Sequence, residues 1–132
     1  MSQKKFLGMD YGDKNIGLAI GELGSIAVPY KIITNISQEK IIAELEQIIK
    51  AEYIDGLVIG LPTSLSGQQN ERVNITNNFI EYCRKHVSVP VHVVNESFTS
   101  QLYTKQGVTK NIDKYAATAI LETFLVQNEP KL

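Results

Sequence analysis

Residues 6–21 constrain the fold of this chain most strongly. They read FLGMDYGDKNIGLAIG, in which two short apolar runs flank a polar turn that contains Gly12. Such a pair of runs is typical of a β-hairpin, and glycine adopts turn conformations that β-branched residues avoid. The first run ends at a carboxylate, Asp10. A buried carboxylate is costly unless it is protonated, paired or bound to a cation. Asp10 is therefore either a functional acid or a turn residue that bonds its own backbone.

The composition narrows the class of protein. The chain has 132 residues, of which 43% are hydrophobic and 20% are charged, and we expect residues 1–132 to form a single soluble domain. The single cysteine, Cys83, cannot form an internal disulfide, and no apolar run approaches the ~18 residues of a membrane span. We therefore expect a cytoplasmic protein with no membrane partner. Because the net charge is −1, nucleic-acid binding would have to rely on local basic clusters.

The apolar pattern beyond the hairpin predicts three more strands and four helices. Ser25–Ile33 is typical of a strand, in which Pro29 indicates an edge position or a bulge. Ser37 is suited to cap the helix that follows. The later predicted elements are a strand at 55–60, a polar loop at 61–70, a helix at 69–86, a strand at 89–94, a short helix at 99–105 and a last helix from about Asp113. The apolar residues expected to face inward in the 69–86 helix are Ile75, Phe79, Ile80 and Cys83.

This order of elements predicts an α/β fold. An antiparallel meander of the first three strands is extended by parallel fourth and fifth strands, and helices flank the resulting five-stranded mixed sheet. The first, fourth and fifth strands then end at one edge, which would bring Asp10 and Glu96 together.

A third acid, Asp113, begins the last helix. Three neighbouring carboxylates repel one another, so such a trio is stable mainly around a divalent cation, and oxygen ligands favour Mg²⁺ or Mn²⁺. Two such ions about 3.5–4 Å apart can activate water for hydrolysis of a phosphodiester. The alternatives are structural, since Asp113 could complement a helix dipole and Glu96 could be a solvated residue at a strand end.

Four ordered motifs then make the chain recognisable. They are G-x-D-x-G-x-K-x-I-G at residues 8–17, V-x-G-L-P at 58–62, P-V-x-x-x-x-E-x-x-T-S at 90–100 and D-x-x-A-A-x-x-I-L at 113–121. With these motifs, the whole chain resembles the YqgF/RuvX family of small bacterial RNase H-like proteins. Members of that family are described as Holliday junction resolvases and as nucleases that mature the 5′ end of pre-16S ribosomal RNA.

The resemblance implies an RNase H-like fold and a metal-dependent endonuclease. By it, Asp10, Glu96 and Asp113 carry over as the catalytic residues and as the ligands of Mg²⁺ or Mn²⁺. The implied role is processing of the 5′ end of pre-16S rRNA in ribosome biogenesis, with structured RNA and a pre-ribosomal particle as partners. Resolution of branched DNA in recombination and repair is the alternative.

The third motif departs from the family pattern. Where the family usually has Asp-Glu-Arg, this chain has Asn95, Glu96 and Ser97, which removes one acid and one base. Because serine cannot grip a phosphate in the bidentate way that arginine can, we expect weaker phosphate binding than in a typical member. The residues that we consider for phosphate binding are Lys14, Arg72, Asn95, Thr99 and Ser100. A solvated turn lysine and helix-capping hydroxyls are the structural alternatives for Lys14, Thr99 and Ser100.

Two other functions compete with the nuclease. The D-x-G hairpin also occurs in ATP-binding proteins of the actin and sugar-kinase type, but those close two such domains around the nucleotide. A catalytically weakened, RNA-binding ribosome-assembly factor would agree with the substitutions at residues 95 and 97 and with the acidic isoelectric point near 6.1. The sequence fits a monomer and a homodimer equally.

Overall fold

The structure is a computed structural model that describes residues 3–62, 71–95 and 112–128, with the backbone alone for residues 112–114. In chain order its elements are β1 (Lys5–Tyr11), β2 (Asn15–Glu22), β3 (Ala27–Thr34), α1 (Gln38–Glu52), β4 (Gly56–Leu61), α2 (Glu71–His86), β5 (Val91–Asn95) and α3 (Ile112–Gln127). The predicted short helix at 99–105 and most of the predicted loop at 61–70 lie outside the described residues. The predicted cap of α1 is confirmed, because the Ser37 hydroxyl accepts a hydrogen bond from the Lys40 amide at 3.2 Å.

The five strands form one mixed sheet in the order β3-β2-β1-β4-β5. β1 pairs antiparallel with β2, and β2 pairs antiparallel with β3. β1 pairs parallel with β4, and β4 pairs parallel with β5. The predicted α/β architecture is thus confirmed, with β1 at the centre and the carboxyl ends of β1, β4 and β5 at a common edge.

The edge position of β3 and its irregularity are also confirmed. The register shifts beside Leu18, which pairs with Lys31, whereas the next residue of β2, Ala19, pairs with Pro29. Tyr30 is therefore the extra residue of a bulge.

Helices cover both faces of the sheet, and the residues of β1 alternate between them. Leu7, Met9 and Tyr11 face α1 and α2, whereas Phe6 and Gly8 face α3. The helical residues in the first core are Ile41, Leu45, Ile48, Ile49, Phe79, Ile80 and Cys83. Those in the second core are Ala117, Ile120, Leu121, Phe124 and Leu125.

One expectation for α2 was wrong. Ile75 is 39% exposed, whereas Val73 and Thr76 are buried. Phe79, Ile80 and Cys83 are buried as expected. Successive helical residues turn by about 100°, and the face shared by the buried residues is centred near Thr76. Ile75 therefore lies about a quarter turn from the core, and the small Thr76 side chain is enclosed instead.

Cys83 is buried, and burial raises the pKa of its thiol to about 12. Its burial agrees with the expectation that Cys83 faces inward in α2. No helix among the described residues is both long and apolar enough to cross a membrane.

Candidate active site at the carboxyl edge of the sheet

Asp10 is the penultimate residue of the central strand and is only 8% exposed. Strand alternation places it on the same face as Gly8, which lies directly against α3. Asp10 pairs with Gly17 of β2. On the other side of β1, Met9 pairs with Ile59 of β4, so the next residue, Asp10, lies beside Gly60 of β4. Because both neighbours are glycines, the Asp10 carboxylate is the only side chain that β2, β1 and β4 place in this row.

The direction of α3 brings its first turn towards the same edge. A Cβ on Gly21, which pairs with Phe6 near the start of β1, would be 3.0 Å from Leu125. A Cβ on Gly8, further along β1, would be 2.7 Å from the Leu121 Cβ. The helix therefore runs antiparallel to β1, and its amino-terminal end points to the edge where Asp10 lies. Asp113 is the second residue of this helix, and its side chain lies outside the described residues.

The remaining members of the predicted site are described only in part. Glu96, Thr99 and Ser100 lie outside the described residues. No three Asp, Glu, His or Cys side chains form a metal-binding group among those that the structure describes. Convergence of Asp10, Glu96 and Asp113 therefore stays a prediction.

Asn95 ends β5 at this edge, level with Leu61 of β4, and is exposed. Val94 belongs to the core under α3. Because neighbouring residues of a strand point to opposite faces, Asn95 is on the other face, which Leu61 and Tyr11 share. It therefore does not lie on the same side of the sheet as Asp10.

The turn between β1 and β2 is held by two side chains from elsewhere in the chain. Arg72, near the start of α2, donates from Nη2 to the Tyr11 carbonyl at 2.7 Å and from Nη1 to Asp13 Oδ1 at 3.1 Å. Asn35 donates from its side-chain Nδ2 to the Gly12 carbonyl at 2.8 Å and from its backbone amide to the Lys14 carbonyl at 2.9 Å.

These contacts bear on two of the predicted phosphate ligands. Two of the guanidinium donors of Arg72 already bond to other groups of the protein, and one of these contacts is an ion pair with Asp13. Lys14 is exposed in the turn. The contributions of Asn35 and Tyr11 to this edge could not be predicted from the sequence. The acceptors are backbone carbonyls, and no residue type indicates which backbone carbonyl will accept a hydrogen bond from a distant side chain.

His92, in β5, is part of an aromatic cluster away from this edge. Its ring lies 4.8 Å from the Phe124 ring and 6.0 Å from the Phe6 ring, measured between centroids. Burial, with smaller effects from the positive charges of Arg84 and Lys4, lowers the pKa of His92. His92 therefore packs against the rings of Phe6 and Phe124.

The chain is similar in sequence to a known family and to named proteins from bacteria. The profile of the family described as "RuvX: Holliday junction resolvase" matches residues 4–127. A protein from Maridesulfovibrio salexigens is 34% identical over 93% of this chain and 98% of its own length. One from Rickettsia conorii is 35% identical over 90% of this chain and 84% of its own. Both carry the name "Putative pre-16S rRNA nuclease".

Solved structures share the fold at much lower identity. Thermus thermophilus RuvC in complex with a Holliday junction substrate matches with a TM-score of 0.61 at 16% identity, over 90% of this chain and 91% of that one. The fowlpox virus Holliday junction resolvase matches with a TM-score of 0.52 at 11% identity, over 93% of this chain and 99% of the viral one. At these identities the likeness shows that the fold is the RNase H-like fold of the RuvC-type resolvases.

Proposed function

The chain belongs to the RuvX family of Holliday junction resolvase-like nucleases, and on that premise we propose that it is a metal-dependent endonuclease that processes the 5′ end of pre-16S rRNA. The observation that carries the proposal is the position of Asp10. It is a buried carboxylate at the end of the central strand, at the edge where three parallel strands finish. Such a carboxylate is stable when a cation, a proton or hydrogen bonds compensate its charge.

The donor chemistry at this edge fits Mg²⁺ or Mn²⁺. Asp10 offers hard oxygen ligands, and the glycines on either side of it leave its row free of other side chains. In the proposal, Glu96 and Asp113 supply the further oxygen ligands. Bound divalent ions would supply an activated water and compensation for the charge of the phosphodiester.

The chain's own residues would orient the nucleic acid. We assign phosphate contacts to Lys14 on the exposed turn and to Thr99 and Ser100 beyond the end of β5, and not to Asn95, which lies on the opposite face of the sheet from Asp10. Because Ser97 stands in place of the family arginine, we expect these contacts to be weak individually. RNA is the preferred substrate because the relatives are named for pre-16S rRNA, and a four-way DNA junction is the second candidate because the family is described as a resolvase. A role on pre-ribosomal particles would place the protein in the cytoplasm.

The test is cleavage of an end-labelled pre-16S 5′ leader and of a four-way DNA junction, each in Mn²⁺ and in EDTA. We expect wild type to cut the RNA only with the metal ion, and Asp10→Asn to lose cutting while unfolding at a similar temperature. Asp55→Asn is the matched control, because Asp55 is an exposed aspartate just before β4, at the opposite end of the sheet. Full activity of Asp10→Asn would reject the proposed site.

The same assay separates the alternatives. Cutting of the junction in preference to the RNA would identify a resolvase. RNA binding in EDTA with no cutting in Mn²⁺ would identify a catalytically weakened assembly factor. In that case, the double variant Asn95→Asp and Ser97→Arg tests whether restoring the family residues restores cleavage.

A further inference from the structure

Arg72 links α2 to the strand that carries Asp10. The shorter of its two hydrogen bonds, 2.7 Å from Nη2, is to the carbonyl of Tyr11, the residue next to Asp10. The other, 3.1 Å from Nη1, is to Asp13 in the turn. The carbonyl bond is partly buried, whereas the Arg72 side chain is 41% exposed and that of Asp13 is 78% exposed. Since surface ion pairs contribute little to stability, the carbonyl bond is the more consequential contact.

The same helix holds Tyr11 at a second point. The rings of Tyr11 and Phe79 stack with centroids 4.0 Å apart and planes 15° from parallel, and both side chains are buried. α2 thus fixes the ring of Tyr11 through Phe79 and its carbonyl through Arg72. Because Asp10 precedes Tyr11 and points to the opposite face of the strand, fixing Tyr11 in this way also fixes the direction of the Asp10 side chain.

Asn35 holds the far side of the turn, through the carbonyls of Gly12 and Lys14. The carbonyls of Tyr11, Gly12 and Lys14 are therefore all bonded to groups outside the hairpin. This restrains the end of β1 more firmly than the β1–β2 ladder alone.

We infer that Arg72 is a positioning residue for Asp10, acting through the Tyr11 carbonyl, rather than a ligand of substrate phosphate. The inference rests on the proposed function, in which Asp10 is catalytic. Two of the donors of the guanidinium are engaged by the protein, and Asp13 offsets its charge. A displacement of about 1 Å at a catalytic group can reduce a rate about a hundredfold, so loss of this bond should be visible in the rate of cleavage.

The experiment compares Arg72→Ala with Arg84→Ala. Arg84 is the matched control because it lies in the same helix, and its ion pair is a local one with Glu81, three residues earlier, on an exposed surface. We expect Arg72→Ala to lower the single-turnover cleavage rate in Mn²⁺ roughly tenfold to a hundredfold, with the Kd for RNA in EDTA changed less than about twofold. Arg84→Ala should change neither quantity. A phosphate ligand would instead raise the Kd and lower the salt dependence of binding by about one ion, and that result would overturn the inference.

Arg72→Lys sharpens the distinction. A lysine keeps the charge but not the rigid two-pronged geometry of the guanidinium, so we expect cleavage by Arg72→Lys to stay slow. Recovery of both the rate and the Kd in Arg72→Lys would favour a charge contact with phosphate and contradict a positioning role.

Amide hydrogen exchange of residues 11–15 tests the positioning role without relying on activity. We expect Arg72→Ala to exchange several-fold faster there than wild type and Arg84→Ala, while far-ultraviolet circular dichroism stays unchanged. If wild type cut neither substrate, the proposed function would fail, and the exchange data would still decide whether Arg72 restrains the turn. Unchanged exchange in Arg72→Ala would overturn the inference.

Discussion

Gly8 and Leu121 lie in direct contact, so that a Cβ at position 8 would be 2.7 Å from the Leu121 Cβ and 3.0 Å from the Ala117 carbonyl oxygen. Both atoms belong to the backbone or are bonded directly to it, so neither can move aside as the end of a flexible side chain could. The absence of a side chain at Gly8 therefore sets the distance between α3 and the central strand, and with it the position of the first turn of α3 relative to Asp10.

Gly8→Ala should destabilise the protein by about 1–3 kcal/mol, the usual cost of overpacking a close contact, and should slow cleavage by shifting α3. Urea unfolding and the cleavage assay check the two effects. Gly24→Asn is the control, because Gly24 has a φ of 82° and no atom within 4 Å of an added Cβ, and asparagine tolerates a positive φ. An equal loss of stability in both variants would contradict this account.

Phe79→Ala should cost about 3–5 kcal/mol, because Phe79 is fully buried and stacks on Tyr11. Ile75→Ala, in the same helix, should change stability by less than about 1 kcal/mol, because Ile75 is 39% exposed. Thermal and urea denaturation of the two variants measure the contrast. A loss of about 2 kcal/mol or more in Ile75→Ala would show that Ile75 is packed in the core, as the sequence led us to expect.

Cys83 should be almost unreactive in the folded protein. With a pKa of about 12, its thiolate fraction at pH 8 is about one part in ten thousand, and only the thiolate reacts. We expect Ellman's reagent to leave the native protein unlabelled over hours at pH 8 and to label it within minutes in 6 M guanidinium, about the concentration that unfolds even very stable domains. Rapid labelling of the native protein would show that the thiol is accessible.

His92 should make stability depend on pH below neutrality. Its pKa is lowered in the folded protein, first by burial and then by the charges of Arg84 and Lys4, so the unfolded chain takes up its proton first. The free energy of unfolding should therefore fall as the pH drops below about 6.5. Below the folded-state pKa of His92, both the folded and the unfolded chain carry this proton, so His92 no longer changes the free energy of unfolding.

The measurement for His92 is the urea midpoint at pH 7.5 and at pH 5.5, in wild type and in His92→Gln. We expect the difference between the two pH values to be smaller in the variant, because glutamine does not titrate. An equal difference in both proteins would show that other groups account for the pH dependence.

Much of the fold could be predicted because single residues indicated local structure, each for its own physical reason. Pro29 indicated the edge strand, since proline lacks a donor for the ladder. Ser37 indicated the start of α1. Asp10 was recognisable as a candidate site residue because it is an acid at the end of an apolar run. The ends of strands were less accurate, since β5 begins at Val91 rather than at residue 89.

What could not be predicted depends on contacts between residues far apart in the chain. Arg72 and Tyr11 are 61 positions apart, and the acceptor is a backbone carbonyl that no residue type announces. Ile75 and Thr76 are adjacent, and hydrophobicity alone favoured the isoleucine. Which of the two is buried depended on how α2 is rotated about its axis over β1 and β4.

The irregular edge of the sheet has a consequence for the behaviour of the protein in concentrated solution. A flat outer strand is a template on which another chain can add a strand, and repeated addition leads to aggregation. In β3, Pro29 removes one donor, Tyr30 interrupts the spacing of the ladder, and the exposed Lys31 adds a charge. These features oppose continuation of the ladder by a second copy of the chain in this segment, although the neighbouring Val28 and Ile32 are exposed. The bulge in β3 thus also works against the joining of separate molecules into a common sheet at this edge.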